Sequence, residues 1–266
     1  MVMDTGAGIP GAVDEAIADA VVTFFQPFYN LHTDALQGLE ALARRDTTGS
    51  SGADGLPAGL FAEARERGQA RELDLSVLEA AIGHFAAIQA ALGDAAGSRL
   101  IVRVNACRDT IAHPYLVADV TAALRRHEIS GDRLLVDIPT VLFRDLVDER
   151  DAATLDRLRH LQAMEISFCL DGFTDADLDL LPAAGEVGVD IITLHPRVLA
   201  GEADALARLA RAVQDVGLPV VAAGVETSGQ LALVRDLGFE WAQGFLLGEP
   251  SPAGDTLDHP MTLPDA

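Results

Sequence analysis

Polar side chains end several of the short apolar runs in this 266-residue chain. The runs are rich in β-branched residues, which is typical of buried parallel strands. Because the carboxyl ends of such strands meet at one edge of a sheet, these side chains are expected to converge. An oxygen-rich cluster there would suit a hard divalent cation such as Mg²⁺, Mn²⁺ or Ca²⁺, although each residue alone is equally typical of a cap or turn. The residues are Glu40, Asn105, Asp137, Asp171, Thr193, Glu226 and Gln243.

The elements that must position this cluster alternate between strand and helix patterns. Two strands over 21–31 and 36–42 are separated by only four residues, which predicts an antiparallel hairpin. Six more strands are predicted over 100–106, 134–138, 166–171, 189–194, 219–225 and 241–247. Helical patterns lie over 57–66, 72–91, 115–127, 152–162, 176–181, 198–216 and 228–237.

This order predicts an α/β fold, a modified TIM (β/α)₈ barrel with an antiparallel first strand, because barrels of this kind take roughly 250 residues. The alternative is an open doubly wound sheet, but no G-x-G-x-x-G follows the first strand. We expect an N-terminal extension over 1–20, with a short helix pattern over 12–20, a barrel domain over 21–252 and a fraying C-terminal tail over 253–266.

The amino-acid composition excludes several classes of reaction and ligand. The net charge is −22, and all 19 cations are arginine. Without lysine, Schiff-base and P-loop lysine chemistry are excluded. The excess of acidic residues argues against sequence-independent binding of nucleic acid, although a local arginine can still bind a small anion. Two cysteines form no disulfide framework, and the absence of a signal peptide pattern or a membrane-length apolar run predicts a cytoplasmic protein with no membrane partner.

Seven segments carry a further pattern, namely FFQPFYNLHTDALQGLEALAR, IVRVNA, LLVDIPT, FCLDGF, VDIITLHPRVL, VVAAGVET and WAQGFLL with Pro250. In these segments, and in their order, the chain resembles the EAL domain family. Glu40, Ala41 and Leu42 form the family's three-residue motif, with Arg44 after it, and the resemblance extends from about Val21 to Pro252. It implies hydrolysis of the bacterial messenger cyclic di-GMP with two divalent metals.

The resemblance also implies roles for individual residues. As metal ligands it implies Glu40, Asn105, Asp137 and Asp171. As positions that contact the nucleotide it implies Gln26, Pro27, Leu42, Arg44, Asp171, Glu226, Gln243, Phe245 and Pro250.

Several positions depart from the family pattern. The family's second aspartate, its lysine and one glutamate are replaced by Gly172, Thr193 and Ala223. Asp137 is one methylene shorter than the family's glutamate, and His195 replaces an aspartate and is interpreted as a loop residue before Pro196 rather than a ligand. A further glutamate is Thr140, and the loop over 174–178 has diverged with it.

These losses predict a catalytically degenerate EAL domain, not an enzyme, which acts as a cyclic di-GMP receptor, a protein-binding regulator, or both. Losing several residues of one cooperative site is expected to abolish turnover. One alternative is a metal-dependent phosphodiesterase with a reduced site, and another is an interaction module that no longer binds nucleotide. The cofactor is one Mg²⁺ or Mn²⁺ ion, or none; the oligomeric state is left open.

Overall fold

The chain forms a closed barrel in the computed structural model, which describes residues 21–45, 57–93, 97 and 99–263. The predicted helix over 12–20 lies outside the described residues. All eight predicted strands are present, and a ninth short strand follows them. The strands are β1 (Val21–Asn30), β2 (Leu36–Arg45), β3 (Ile101–Asn105), β4 (Leu134–Pro139), β5 (Ser167–Phe173), β6 (Ile191–Leu194), β7 (Val220–Ala223), β8 (Trp241–Gln243) and β9 (Ser251–Pro252).

Strand pairing confirms the modified barrel. The predicted hairpin is present, since β1 runs antiparallel to β2 with Gln26 opposite Glu40. Strand β1 also pairs antiparallel with β8, which closes the barrel. The consecutive pairs from β2 to β8 are all parallel. The carboxyl ends of seven strands therefore share one rim, as the sequence predicted.

The helices surround this barrel with some differences from prediction. A helix at Thr140–Asp148 was not predicted, and the segment predicted over 198–216 is two helices, the first of which begins at Pro196. The segment predicted as a helix over 176–181 is a 3₁₀ turn at Asp175–Leu180. The helices are α1 (Pro57–Glu66), α2 (Ala70–Leu92), α3 (Arg108–Ile111), α4 (Leu116–Arg126), α5 (Thr140–Asp148), α6 (Ala152–Gln162), α7 (Leu181–Val187), α8 (Pro196–Leu199), α9 (Ala203–Gln214) and α10 (Ser228–Asp236).

Helix α2 packs one apolar face against the barrel. Ala81, Ile82 and Phe85 on this face are buried in the main hydrophobic core. By length and composition alone, α2 is also long and apolar enough to cross a membrane, the one such helix in the described part of the chain. By this measure, α2 departs from the expectation that the chain holds no apolar run of membrane length.

The tail differs from its predicted behaviour over 253–263. Strand β9 pairs with β1, and a 3₁₀ turn follows at Ala253–Asp258. The Tyr29 hydroxyl donates a hydrogen bond to the carbonyl of Pro260 at 3.0 Å, and the amide of Leu36 donates to Met261 O at 2.8 Å. Backbone pairing and a buried tyrosine therefore hold this segment on the barrel.

The interior of the barrel is layered, because alternate residues of each strand point inward. An apolar layer lies toward the amino ends of the strands. Above it, toward the rim, the inward residues are polar, yet they are still buried. The apolar layer consists of Leu135, Cys169, Ile191 and Val221, with Ile101 and Trp241 packed against them.

Candidate functional site

A buried polar layer, defined as Arg103, Asp137, Thr193 and Gln243, lies at the centre of the barrel. The side chain of Arg103 is 2% exposed and that of Asp137 is 0% exposed. Arg103 Nη2 lies 2.9 Å from Asp137 Oδ2, and Nε lies 3.2 Å from both carboxylate oxygens. The two residues thus form a forked ion pair that water does not reach.

The remaining guanidinium donors are also used. Arg103 Nη2 donates to Thr193 Oγ1 at 3.1 Å, and Nη1 donates to Gln243 Oε1 at 3.4 Å. The guanidinium carbon lies 5.6 Å from the centre of the Phe28 ring, a cation–π distance. Strands β1, β3, β4, β6 and β8 therefore meet at one arginine.

In this layer, burial and the neighbouring charges shift the pKa values in opposite directions. Burial raises the pKa of the Asp137 carboxyl, and the adjacent Arg103 guanidinium counters that rise. Burial likewise raises the pKa of Asp171, and Arg103 again counters it. For Arg103 itself burial lowers the pKa, but its neighbours, Asp137 first and then Cys169 and Glu40, outweigh burial, and the pKa is raised. One permanent cation thus faces three carboxylates.

A chain of side-chain amides links the buried polar layer to the rim. Gln243 Nε2 donates to Gln26 Oε1 at 2.9 Å and also donates to the carboxylate of Glu40. The other oxygen of Glu40 accepts from Asn105 Nδ2 at 3.1 Å. Gln26 Nε2 in turn donates to Gly248 O at 3.0 Å. The carboxylate of Glu40 is therefore held by two amides at the edge of the interior.

An open groove lies beside Glu40, between the ends of β2 and β3 and the helices α1 and α2. Its polar members include Glu40, Arg44 and Asn105. Burial lowers the pKa of Arg44, while Glu40 raises it. The remaining lining residues are Ala41, Leu42, Ala43, Phe61, Asp74, Val77, Leu78, Val104, Ala106, Cys107 and Pro139.

Strand β5 is irregular where Asp171 leaves the barrel. Its register with β6 shifts between Asp171 and Phe173, and Gly172 between them has a φ of 77°. Such a conformation is easy for glycine and strained for most other residues. The Thr140 hydroxyl donates to Asp171 O at 2.7 Å, which holds the strand at this point.

The loop after β5 has its own set of contacts. Asp177 Oδ2 accepts from the amide and the hydroxyl of Thr174, at 3.0 and 2.8 Å. From α5, Arg144 donates to Asp177 Oδ1 at 3.1 Å, to Asp179 at 2.8 and 2.9 Å, and to Ala176 O at 3.1 Å. The diverged loop is therefore fixed by Arg144, a residue that the sequence analysis did not identify.

Comparison with known proteins identifies the family. A family model described as EAL domain matches residues 11–250. The chain belongs to the EAL domain family. EAL domains act in cyclic di-GMP signalling and generally use divalent metal ions.

Three relatives of this EAL domain illustrate its similarities. The bifunctional diguanylate cyclase/cyclic di-GMP phosphodiesterase MucR of Pseudomonas aeruginosa is 32% identical over 164 residues, which cover 59% of this chain and 23% of MucR. The cyclic di-GMP phosphodiesterase NbdA of the same organism is 30% identical over 242 residues, covering 88% of this chain and 29% of NbdA. This chain thus spans less than a third of either relative.

The third relative is a solved structure, a complex of the P. aeruginosa MucR phosphodiesterase with cyclic di-GMP. It matches this chain with a TM-score of 0.77 and 24% identity, covering 90% of this chain and 94% of the other. At that identity, the match supports the barrel fold.

The predicted EAL site is divided in this structure, although the amide of Gln243 also contacts Glu40. Glu40 and Asn105 share a hydrogen bond at the rim, and Leu42 and Arg44 line the open groove with them. Gln26, Pro27, Asp171, Gln243, Phe245 and Pro250 do not line that groove. Gln26 and Gln243 are buried in the amide chain, whereas Phe245 is 61% exposed.

The two remaining candidate residues are Glu226 and His195. Glu226 is exposed, and within the described residues no hydrogen bond or ion pair joins its carboxylate to the cluster. His195 precedes α8, where its Nδ1 accepts from the backbone amide of Arg197 at 3.1 Å. This contact agrees with the interpretation of His195 as a loop residue.

The predicted metal ligands do not form a metal-binding cluster of acidic side chains among the described residues. Among the described residues, no group of three or more His, Cys, Asp or Glu side chains is arranged to hold a metal ion. Asp137, predicted as a ligand, is instead paired with Arg103, because the guanidinium contacts both of its oxygens. Gly172 has no side-chain donor, and Ala223 offers only a methyl group.

Arg103 and Asp74 are the site residues that the sequence analysis missed. Arg103 lies two positions before Asn105 on β3, so both side chains point into the barrel. A charged residue at an inward position of the apolar run IVRVN was the available signal. Asp74 lies on the groove side of α2, where its Oδ2 accepts from the amide of Cys107 at 3.1 Å. Burial raises the pKa of Asp74.

Proposed function

We propose that this EAL domain binds cyclic di-GMP and relays its presence, without hydrolysing it. The relatives named as cyclic di-GMP phosphodiesterases and the cyclic di-GMP complex of MucR support the choice of ligand. The observation that carries the loss of hydrolysis is the side-chain inventory around Asp171. Gly172 and Ala223 supply no ligand, and Thr193 supplies no cation to the rim.

The chemistry of phosphodiester cleavage explains why these positions matter. A two-metal site activates water and stabilises both oxygens of an in-line displacement. Each lost electrostatic contact reduces the rate by roughly 10²- to 10³-fold. Because the residues of such a site act together, losing three of them is expected to remove turnover altogether.

The open groove retains features that suit nucleotide binding. Arg44 supplies a partly exposed guanidinium, which can donate paired hydrogen bonds to a phosphate. Leu42, Phe61 and Val77 provide an apolar wall against which a base can pack. A ligand can therefore be bound here by groups that need no hydrolytic machinery.

Two measurements test the proposal. Isothermal titration calorimetry with cyclic di-GMP should show saturable binding by the wild type and at least about tenfold weaker binding by Arg44→Ala. Arg211→Ala is the matched control, because Arg211 is exposed on the outer helix α9 and loses the same charge. Absence of binding by the wild type would leave the interaction module as the better description.

Hydrolysis is followed separately by chromatography of the linear dinucleotide, with Mg²⁺ or Mn²⁺ present. We expect no product after long incubation. Product that forms with the wild type and disappears with Glu40→Gln would support the alternative, a phosphodiesterase with a reduced site.

A further inference from the structure

Arg103 has no role in the proposed function, yet its charged side chain lies at the centre of the buried polar layer. Its guanidinium touches Asp137, Thr193 and Gln243, and it is 2% exposed. We propose that Arg103 is the resident counter-cation of this domain: it occupies the charge position that divalent ions would fill, so that the carboxylate cluster binds no divalent metal.

The geometry places this one cation among the candidate metal ligands. It contacts both oxygens of Asp137 directly. Through the amide of Gln243 it is connected to Glu40, and it lies close enough to Asp171 to act on that carboxyl electrostatically. The positive charge of Arg103 therefore already acts on three of the four predicted metal ligands. Asn105, the fourth, donates a hydrogen bond from its amide to Glu40.

The position of the Arg103 guanidinium also explains why the family lysine is absent at position 193. The family resemblance places a lysine there, on β6, and this chain has Thr193 instead. The Thr193 hydroxyl accepts from Arg103 Nη2 at 3.1 Å, so the guanidinium fills space that a longer side chain at 193 would need. The positive charge of the barrel interior is thus supplied from β3 rather than from β6.

Charge and geometry together disfavour a divalent ion. An incoming ion would meet a permanent cation in a buried environment where charges are poorly screened. To coordinate Asp137 it would also have to displace a forked ion pair whose oxygens are both used. An arginine cannot release its charge by losing a proton at ordinary pH, so the counter-cation is permanent.

The direct test is Mn²⁺ uptake, measured by the electron paramagnetic resonance of free Mn²⁺, in the wild type, Arg103→Met and the double variant Arg103→Met/Asp137→Asn. We expect no uptake by the wild type up to roughly 1 mM and at least about tenfold tighter uptake by Arg103→Met. The double variant should return to the behaviour of the wild type, because it lacks both charges.

Wild-type uptake of one Mn²⁺ that is lost in Glu40→Gln would overturn the inference, as would Arg103→Met without any gain. If Arg103→Met does not fold, Arg103→Gln is the second neutral variant, since its amide can still donate to Asp137. Uptake of Mn²⁺ by the wild type overturns the inference even if neither variant folds. Arg103→Lys, which keeps a charge, is expected to exclude Mn²⁺ like the wild type.

A second test uses the ligand and rests on the proposed function. The affinity for cyclic di-GMP should agree within about twofold between EDTA and Mg²⁺ solutions. Binding that is more than about tenfold weaker in EDTA would overturn the inference while leaving the proposed function intact. Absence of binding in both solutions would remove the proposed function, and the Mn²⁺ measurement would still decide the role of Arg103.

Discussion

Two arginines of this barrel lie near carboxylates in very different surroundings, one buried at the centre of the barrel and one at the open groove. Arg103 and Asp137 are buried, and the guanidinium of Arg103 also donates hydrogen bonds to Gln243 and Thr193. Arg44 lies beside Glu40 at the open groove, and its one hydrogen bond within the described structure goes from Nη1 to Ala43 O at 2.9 Å. The buried pair is committed to the fold, whereas Arg44 at the groove keeps donors for a ligand.

Among the variants that test this comparison, Arg103→Met is expected to change the free energy of unfolding most. Removing one partner leaves the Asp137 charge buried without compensation, which should reduce the free energy of unfolding by about 3–5 kcal/mol. Urea denaturation followed by circular dichroism measures this loss. The double variant Arg103→Met/Asp137→Asn should recover most of it, and no recovery would mean that packing, rather than charge, is what Arg103 contributes.

A smaller effect in the same layer is expected from Thr193→Val. The two side chains have similar shapes, but valine cannot accept the hydrogen bond from Arg103 Nη2. A buried donor left without its acceptor should lower the free energy of unfolding by about 1–3 kcal/mol. Thermal denaturation checks this value, with Thr262→Val as the comparison, because Thr262 is exposed and its hydroxyl makes no hydrogen bond among the described residues; equal losses at both sites would contradict a special demand at Thr193.

Gly172→Asp tests whether the rim can be repaired alone. The nearest atom to an added Cβ is His195 Cδ2 at 3.9 Å, so the side chain has room, but the φ of 77° makes the backbone less favourable by about 1 kcal/mol. We expect a folded variant that still forms no linear dinucleotide, because Arg103 still holds Asp137. Product formation on chromatography would show that the missing carboxylate at 172 was the main deficit.

The smallest effect on stability is expected from Arg44→Ala, with a change of unfolding free energy within about 0.5 kcal/mol. Its effect on cyclic di-GMP binding should be large, since a hydrogen bond to a charged group contributes about 1.5–3 kcal/mol. Calorimetry and thermal denaturation on the same preparation separate the two. A destabilised Arg44→Ala would show that Arg44 is also committed to the fold.

Much of the barrel was predictable because strand and helix patterns differ in period. The hairpin of β1 and β2 followed from a four-residue connection that is too short for a crossover. Helix α5 was missed because it begins at Thr140, directly after β4, so no polar loop separated the two apolar patterns. The segment over 253–263 was expected to fray, yet it is held by contacts with β1 and β2, more than 200 residues earlier in the chain.

The site was less predictable than the fold, for a physical reason. Sequence identified Glu40, Asn105 and Asp171 as strand-end groups, and the family resemblance identified the losses at 172, 193 and 223. The partner that takes Asp137 lies on another strand, and only the register of β3 against β4 brings them together. Pairing across strands is a tertiary property that no local spacing encodes.

The ring of Trp241 lies 5.3 Å from that of Phe28, which is also the ring beneath the Arg103 guanidinium. Trp241 is the single tryptophan of the chain. Its indole emission therefore comes from one place, at the base of the charged interior and away from the outer helices. Trp241 is therefore an intrinsic fluorescence probe, and a change in the charge of the barrel interior can be followed without attaching a label.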